Sequence, residues 1–483
     1  MAKTINRRKF ISRMGATACL ASSGGNLLFA QSRKVENPPN IILCMADDQG
    51  WGDMGYYGHP FVKTPNFDAM EKVALRFDRF YSSSPVCSPT RASVLTGRHP
   101  NRTGVLNYGW PMRPQENTIA EALRKIGYTT GHFGKWHVGS AQKNSPVNPS
   151  AFGFDEWLSA MNFFDRDPLL SRNGVVERCS GESEDIVVDE AIKFISKQAK
   201  ADKPFLALVW FANPHYPHEA LRKYNKLYEG KTEPGYYAEI TAMDQAFGRL
   251  RKAIRDLGIR DNTLLWYNSD NGGLIESSSG GRGMKRSSYE GGLRVPALIE
   301  WPQAIPEPRH TNVPCGTMDI YPTLLELTGA NKPDDHPLDG ISLAPLLKGK
   351  MNARPKPIGF WRHPIDGRST WNHKILGSIL EAQKEGRSTD KVGRPDMDAG
   401  EIKKTYPKDY RQGHAGWLDW PWKLHRIVDD KNKVTLELYN LKQDPNEENN
   451  VAEQYKDRTK KMLNELTEWQ TSVVRSMNGA DYR

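Results

Sequence analysis

A chain of 483 residues that is 38% hydrophobic and 10% aromatic is too long for one small core and too apolar for a disordered polymer, so it reads as a folded protein of two domains. Its formal charge of +10 falls to about +5 once the basic N-terminal stretch is set aside, and no basic stripe interleaved with aromatics follows; this excludes a nucleic-acid partner but suits an anionic substrate. The five cysteines form no Cys-x-x-Cys pair or Cys/His cluster, which argues against a zinc site.

The first thirty residues carry a twin-arginine pattern, Asn6-Arg7-Arg8-Lys9-Phe10-Ile11. An Ala/Ser/Gly-rich apolar run to Phe29 and a cleavage point at Ala30-Gln31 follow. Residues 1–30 are therefore expected to be a signal peptide read by the twin-arginine export machinery, giving a periplasmic or secreted protein. No other run approaches the ~18–20 apolar residues of a membrane span, so no membrane anchor is expected in the mature form.

Pro39 to Ala46 is an uninterrupted apolar run, the mark of a strand buried on both faces, and it ends at Asp47-Asp48. Next comes Cys87-Ser88-Pro89-Thr90-Arg91, continuing to Leu95-Thr96-Gly97-Arg98. Pro89 suits the first turn of a helix and Gly97 the position just past its end, so Cys87 sits at a helix N-terminus, where free N–H groups favour an anion. The segment from Thr118 to Ile126 is expected to be a helix closed by Gly127, and Asp185 to Lys200 and Tyr236 to Leu257 show the same periodicity. Two further strands, Lys203 to Phe211 and Asn262 to Asn268, end at Asn213-Pro214-His215 and at Ser269-Asp270-Asn271. Each strand thus delivers polar side chains past its C-terminal edge, where open α/β sheets bind ligands. Alternating strands and helices over residues 36–350 predict a mostly parallel sheet sandwiched by helices.

Beyond about residue 350 the pattern changes. Residues 381–412 read as a long loop, Trp422 to Ile427 and Val434 to Tyr439 as a hairpin, and Val451 to Val474 as a closing helix. Residues 351–483 are therefore expected to be a smaller α+β domain on an antiparallel sheet. Trp361, Trp371, Trp417, Trp420 and Trp422 either fill its core or stack on sugar rings. Lys384, Arg387, Lys391 and Arg394 either contact a polyanion or belong to a solvated loop. A Cys179–Cys315 disulfide is left open.

Taken together, Asp47-Asp48, the Cys87 segment, Gly134-Lys135-Trp136-His137, His215, Asp270-Asn271, Lys285, Tyr289 to Pro296, Asp339 to Leu343 and Tyr439-Asn440-Leu441 resemble the type I, formylglycine-dependent sulfatases of the alkaline phosphatase superfamily over roughly residues 36–475. The resemblance implies an alkaline-phosphatase-like fold and hydrolysis of sulfate esters, with a sulfated carbohydrate or polysaccharide as substrate. It implies that a maturation enzyme oxidises Cys87 to formylglycine (3-oxoalanine), whose hydrate attacks sulfur. Arg91 would stabilise that group, Lys135 and Lys285 would face the sulfate, His137 would accept a proton, and His215 would assist the departing alcohol. Asp47, Asp48, Asp270 and Asn271 offer only oxygen, which suits calcium or magnesium, with the oxygen at position 87 completing the set. Two other readings remain: a phosphodiesterase or phosphonate monoester hydrolase of the same superfamily, and a sulfated-glycan binding protein without catalysis.

Overall fold

The apolar runs become the centre of a ten-stranded sheet in the computed structural model, which describes residues 35–482. The expected leader and Cys19 lie outside the described residues. Strands Thr263–Ser269, Asn40–Ala46, Phe205–Trp210, Thr129–Lys135 and Glu156–Ala160 run side by side and parallel. Short antiparallel pairings extend both flanks, through Ala297–Glu300 on one side and Leu169–Arg172 and Val175–Arg178 on the other.

Alternate side chains of the central strands enter separate cores. Leu43, Leu208 and Trp266 pack with Ala92 and Leu95 of the helix Cys87–Thr96 and with Leu324 of the helix Ile320–Thr328. Ile42, Val209 and Tyr267 pack on the opposite face with Val188 of Ser183–Lys200 and Phe247 of Pro234–Asp256. Helices on both faces of a mostly parallel sheet are the expected fold.

Boundaries shift where local bonds compete. The helix expected over Thr118 to Ile126 spans Ile119–Arg124: a capping box opens it, in which Thr118 Oγ1 accepts from Glu121 N and Glu121 Oε2 accepts from Thr118 N, and tighter turns from Ile126 N to Leu123 O and Gly127 N to Arg124 O close it. The closing helix begins at Lys456, because Val451 N still donates to Leu438 O and holds the chain against the sheet. The stretch expected as loop from 381 opens with the last turn of a helix, Asn372–Lys384, and residues 385–412 carry neither helix nor strand.

The expected hairpin, Trp422–Val428 with Val434–Asn440, is half of a four-stranded antiparallel sheet completed by Ile358–Arg362 and Gly413–Asp419. Lys456–Met477 covers it, burying Met462, Leu466 and Val473 against Trp361 and Trp417. Asp339 ties this helix to the catalytic body: it accepts from His99 N at 2.6 Å, Arg102 Nε at 2.8 Å and Trp469 Nε1 at 2.9 Å.

Trp361 and Trp417 are core residues, Trp420 lies under Arg79, Trp422 is half-buried against Tyr455, and Trp371 is exposed. Arg387 pairs with Glu385, and Arg394 pairs with Asp396 at 2.7 Å, so two of the set Lys384, Arg387, Lys391 and Arg394 are already ion-paired. Cys179 and Cys315 are both free thiols.

Candidate active site

Four parallel strands end together, and their next residues build one pocket. The ladder continues past the strand ends, with Asp47 N donating to Asn213 O and Asp270 N to Ala46 O, so the polar residues inherit the sheet's spacing. Asp48 (φ 71°) and His137 (φ 54°) adopt the left-handed backbone that non-glycine residues disfavour, a strain that collects at functional sites. At Gly134 (φ 106°) a Cβ would lie 1.9 Å from Trp210 O, so glycine alone lets this strand reach the pocket beside its neighbour. Cys87 opens its helix as expected, and Gly97 closes it in the left-handed conformation.

All the expected site residues converge. Lys135 Nζ donates to Asp47 Oδ2 at 2.5 Å, and Lys285 Nζ to Asp48 Oδ2 at 2.5 Å. His215 Nε2 lies 3.6 Å from the same Asp48 oxygen, and its Nδ1 is 2.7 Å from Tyr216 O. Asn271 Nδ2 donates to Asp48 Oδ1 at 2.8 Å. His137 Nδ1 is 3.3 Å from Cys87 Sγ. Arg91 donates through Nε (3.1 Å) and NH2 (2.7 Å) to Asp270 Oδ2 and through NH1 to Lys135 O, so its guanidinium orients the carboxylate and the lysine strand. Of these groups only Lys285 and His215, each 15% exposed at the side chain, reach solvent.

Burial and charge set the protonation states. Burial raises Asp47, but Lys135, His215, Arg91 and Lys285 together outweigh it and hold the carboxyl far below its usual range. Asp270 goes the other way, pushed up to about 7 by burial and by Asp47 despite Arg91. Burial, reinforced by Lys135 and Arg91, keeps His137 neutral, and burial lowers His215 to about 4. Burial also raises the Cys87 thiol, so as an unmodified cysteine it is not the reactive thiolate.

The donor set suits a hard cation. Asp47, Cys87 and Asp270 each offer a ligand atom within 4.8 Å of the others. Asp47 Oδ1 and Asn271 Oδ1 are buried without a hydrogen-bond partner, with Arg91 NH2 3.7 Å from the first of them. Such orphaned oxygens are costly unless something positive faces them.

Comparison with known proteins decides the family. The family described as Sulfatase matches residues 39–330. N-acetylgalactosamine-6-sulfatase of Canis lupus familiaris is 34% identical over 389 residues, 69% of this chain and 72% of that protein. The ulvan-active sulfatase of Formosa agariphila is 34% identical over 335 residues, 64% of this chain and 65% of that one. The crystal structure of Ps i-CgsB superposes with a TM-score of 0.74 at 25% identity, covering 91% of this chain and 94% of that one. The chain belongs to the sulfatase family. It is a sulfuric ester hydrolase.

Several residues around this sulfatase site were not singled out in the sequence. Tyr236 OH donates to Asp48 O at 3.0 Å, fixing the strained turn from beneath. Phe163 stacks on the His215 ring, with centroids 4.5 Å apart. Arg286 follows Lys285, its N–H bonded to Pro85 O two residues before Cys87. Arg362 ends its strand exposed to solvent, its guanidinium pushed down by part burial and by Arg286. Adjacency to Lys285 was a usable signal for Arg286. Phe163 had none, since its partners come from distant segments.

Proposed function

We propose that this sulfatase cleaves the sulfate ester of a carbohydrate, using the side chain at position 87 after its oxidation to formylglycine and a calcium ion held by Asp47, Asp48, Asp270 and Asn271. The observation that carries the reading is the pair of orphaned oxygens on Asp47 and Asn271, buried beside a helix N-terminus that begins at Cys87. The cation supplies positive charge to a sulfate oxygen, and the aldehyde supplies a hydrated oxygen nucleophile in place of an inert thiol.

The chain's own residues do the rest. Lys135 and Lys285 hold the sulfate's negative charge from two sides in a water-poor pocket, where such charges act strongly. His137, kept neutral by burial, takes a proton at the position of Cys87 Sγ. Lys285 Nζ and His215 Nε2 converge on Asp48 Oδ2, and Lys285, kept protonated by that carboxylate, delivers the proton to the departing alcohol oxygen with the neutral His215 ring beside it. The products are the free hydroxyl and inorganic sulfate.

Relatives support the carbohydrate. N-acetylgalactosamine-6-sulfatase and the ulvan-active sulfatase are named for such substrates, and Ps i-CgsB was solved in complex with k-i-k-neocarrahexaose. Arg286 and Arg362 beside the site suit a chain carrying more than one anionic group. Sulfate release from a panel of sulfated mono- and polysaccharides, with phosphate and phosphonate esters assayed in parallel, tests the reading. Turnover confined to the phosphorus esters would refute it. Delivery outside the cytoplasm through the twin-arginine leader is part of the same proposal, and normal export of an Arg7→Lys/Arg8→Lys precursor would contradict it.

A further inference from the structure

Resting on the carbohydrate reading above, we propose that Trp371, seated on Phe163, is the platform for a sugar ring next to the one bearing the scissile sulfate. Trp371 is 45% exposed, and among the described residues no other tryptophan is so open. A single exposed apolar side chain is ordinary on a protein surface, so position rather than exposure has to point to an occupant. The location of Trp371 names that occupant. The Phe163 ring stacks on His215 with centroids 4.5 Å apart and planes 15° from parallel, and Trp371 meets Phe163 edge-on at 5.5 Å and 83°. The three rings form an unbroken path from the leaving-group side of the pocket to solvent. Whatever chain continues from the departing oxygen passes along it.

The platform is held in place rather than loosely exposed. Asn372 Oδ1 accepts from Met161 N at 2.8 Å and Asn372 Nδ2 donates to Leu169 O at 2.9 Å. These bonds fix the start of Asn372–Lys384, and with it Trp371, against the segment that carries Phe163. Asn162 Oδ1 accepts from Phe163 N at 2.8 Å and pins that ring's backbone. Lys374 Nζ lies 6.0 Å from the Trp371 ring centroid. A flat indole with a long, solvated cation over it suits a pyranose that carries its own anionic group for that cation to meet.

The test compares two substrates. A small aryl sulfate fills only the sulfate pocket, whereas a sulfated oligosaccharide also covers Trp371. For Trp371→Ala, the oligosaccharide-to-aryl-sulfate ratio of kcat/KM should fall about tenfold, the value of covering roughly 50–60 Å² of apolar surface, and the change should lie in KM. Trp371→Phe should recover most of it. Equal losses on both substrates, or an unchanged ratio, would overturn the proposal. So would concentration-dependent self-association that Trp371→Ala abolishes, which would assign the indole to a contact between copies. Wild-type protein that hydrolyses neither substrate would instead refute the proposed function.

Discussion

Replacing Lys135 by Met should destabilise the calcium-free protein severely and the calcium-loaded protein far less. In the structure Lys135 Nζ is 2.5 Å from Asp47 Oδ2, with both side chains fully buried. Removing Lys135 leaves the buried Asp47 carboxylate with only the longer Arg91 contact at 3.7 Å, at a cost of up to about 3–5 kcal/mol. Met fills most of the vacated volume, so packing loss adds little. A cation facing Asp47 Oδ1 and Asn271 Oδ1 supplies the missing charge, and a coupling of about 2 kcal/mol between ion and lysine is the scale for groups sharing one partner. Calcium should therefore stabilise Lys135→Met by about 2 kcal/mol more than wild type, equivalent to roughly 30-fold tighter binding. Denaturant unfolding with calcium and with chelator, in mildly alkaline buffer so that Asp47 does not escape by protonation, measures the cycle, and titration calorimetry reads the affinity. An equal loss in both conditions, or weaker calcium binding by the variant, would refute the placement of the cation.

Two further outcomes concern the scaffold. Burial raises the Asp339 carboxyl, but Arg102 and the hydrogen bonds from Arg102 and His99 N hold it well below the usual carboxylate range. Its contribution to stability is therefore present above the unfolded pKa of about 3.9 and lost as pH falls through that value towards the folded one. Asp339→Ala should lower stability at neutral pH by about 3–5 kcal/mol in denaturant unfolding and flatten the acid limb, and a loss that does not shrink in acid would contradict the clasp. Gly134→Ala places a Cβ 1.9 Å from Trp210 O at a φ of 106°, and should cost at least about 3 kcal/mol in thermal unfolding; a near-neutral variant would show that the strand can yield there.

Much of the site was legible because parallel strands covered on both faces read as unbroken apolar runs. Where the runs at Ala46, Phe211 and Asn268 stop, the next polar residues lie at the sheet's edge. The Cys87 helix was readable from Pro89 and Gly97 for equally local reasons. The sheet's flanks were not: Leu75–Phe77 and Ala297–Glu300 are too short for periodicity to register. Ile358–Arg362 and Gly413–Asp419 pair across some fifty residues, so neither carries the turn that marks a hairpin. The orientation of Arg91 onto Asp270, the unpartnered oxygens of Asp47 and Asn271, and the ring path from His215 to Trp371 join segments far apart in the chain. They exist only once the sheet has formed.

The most direct measurement is sulfate release as a function of the fraction of position 87 converted to formylglycine, quantified by mass spectrometry of the peptide carrying that residue. Activity should rise in proportion to conversion from a zero intercept, and Cys87→Ala should be inactive while folding normally. Full turnover by protein whose Cys87 is entirely thiol would contradict the account.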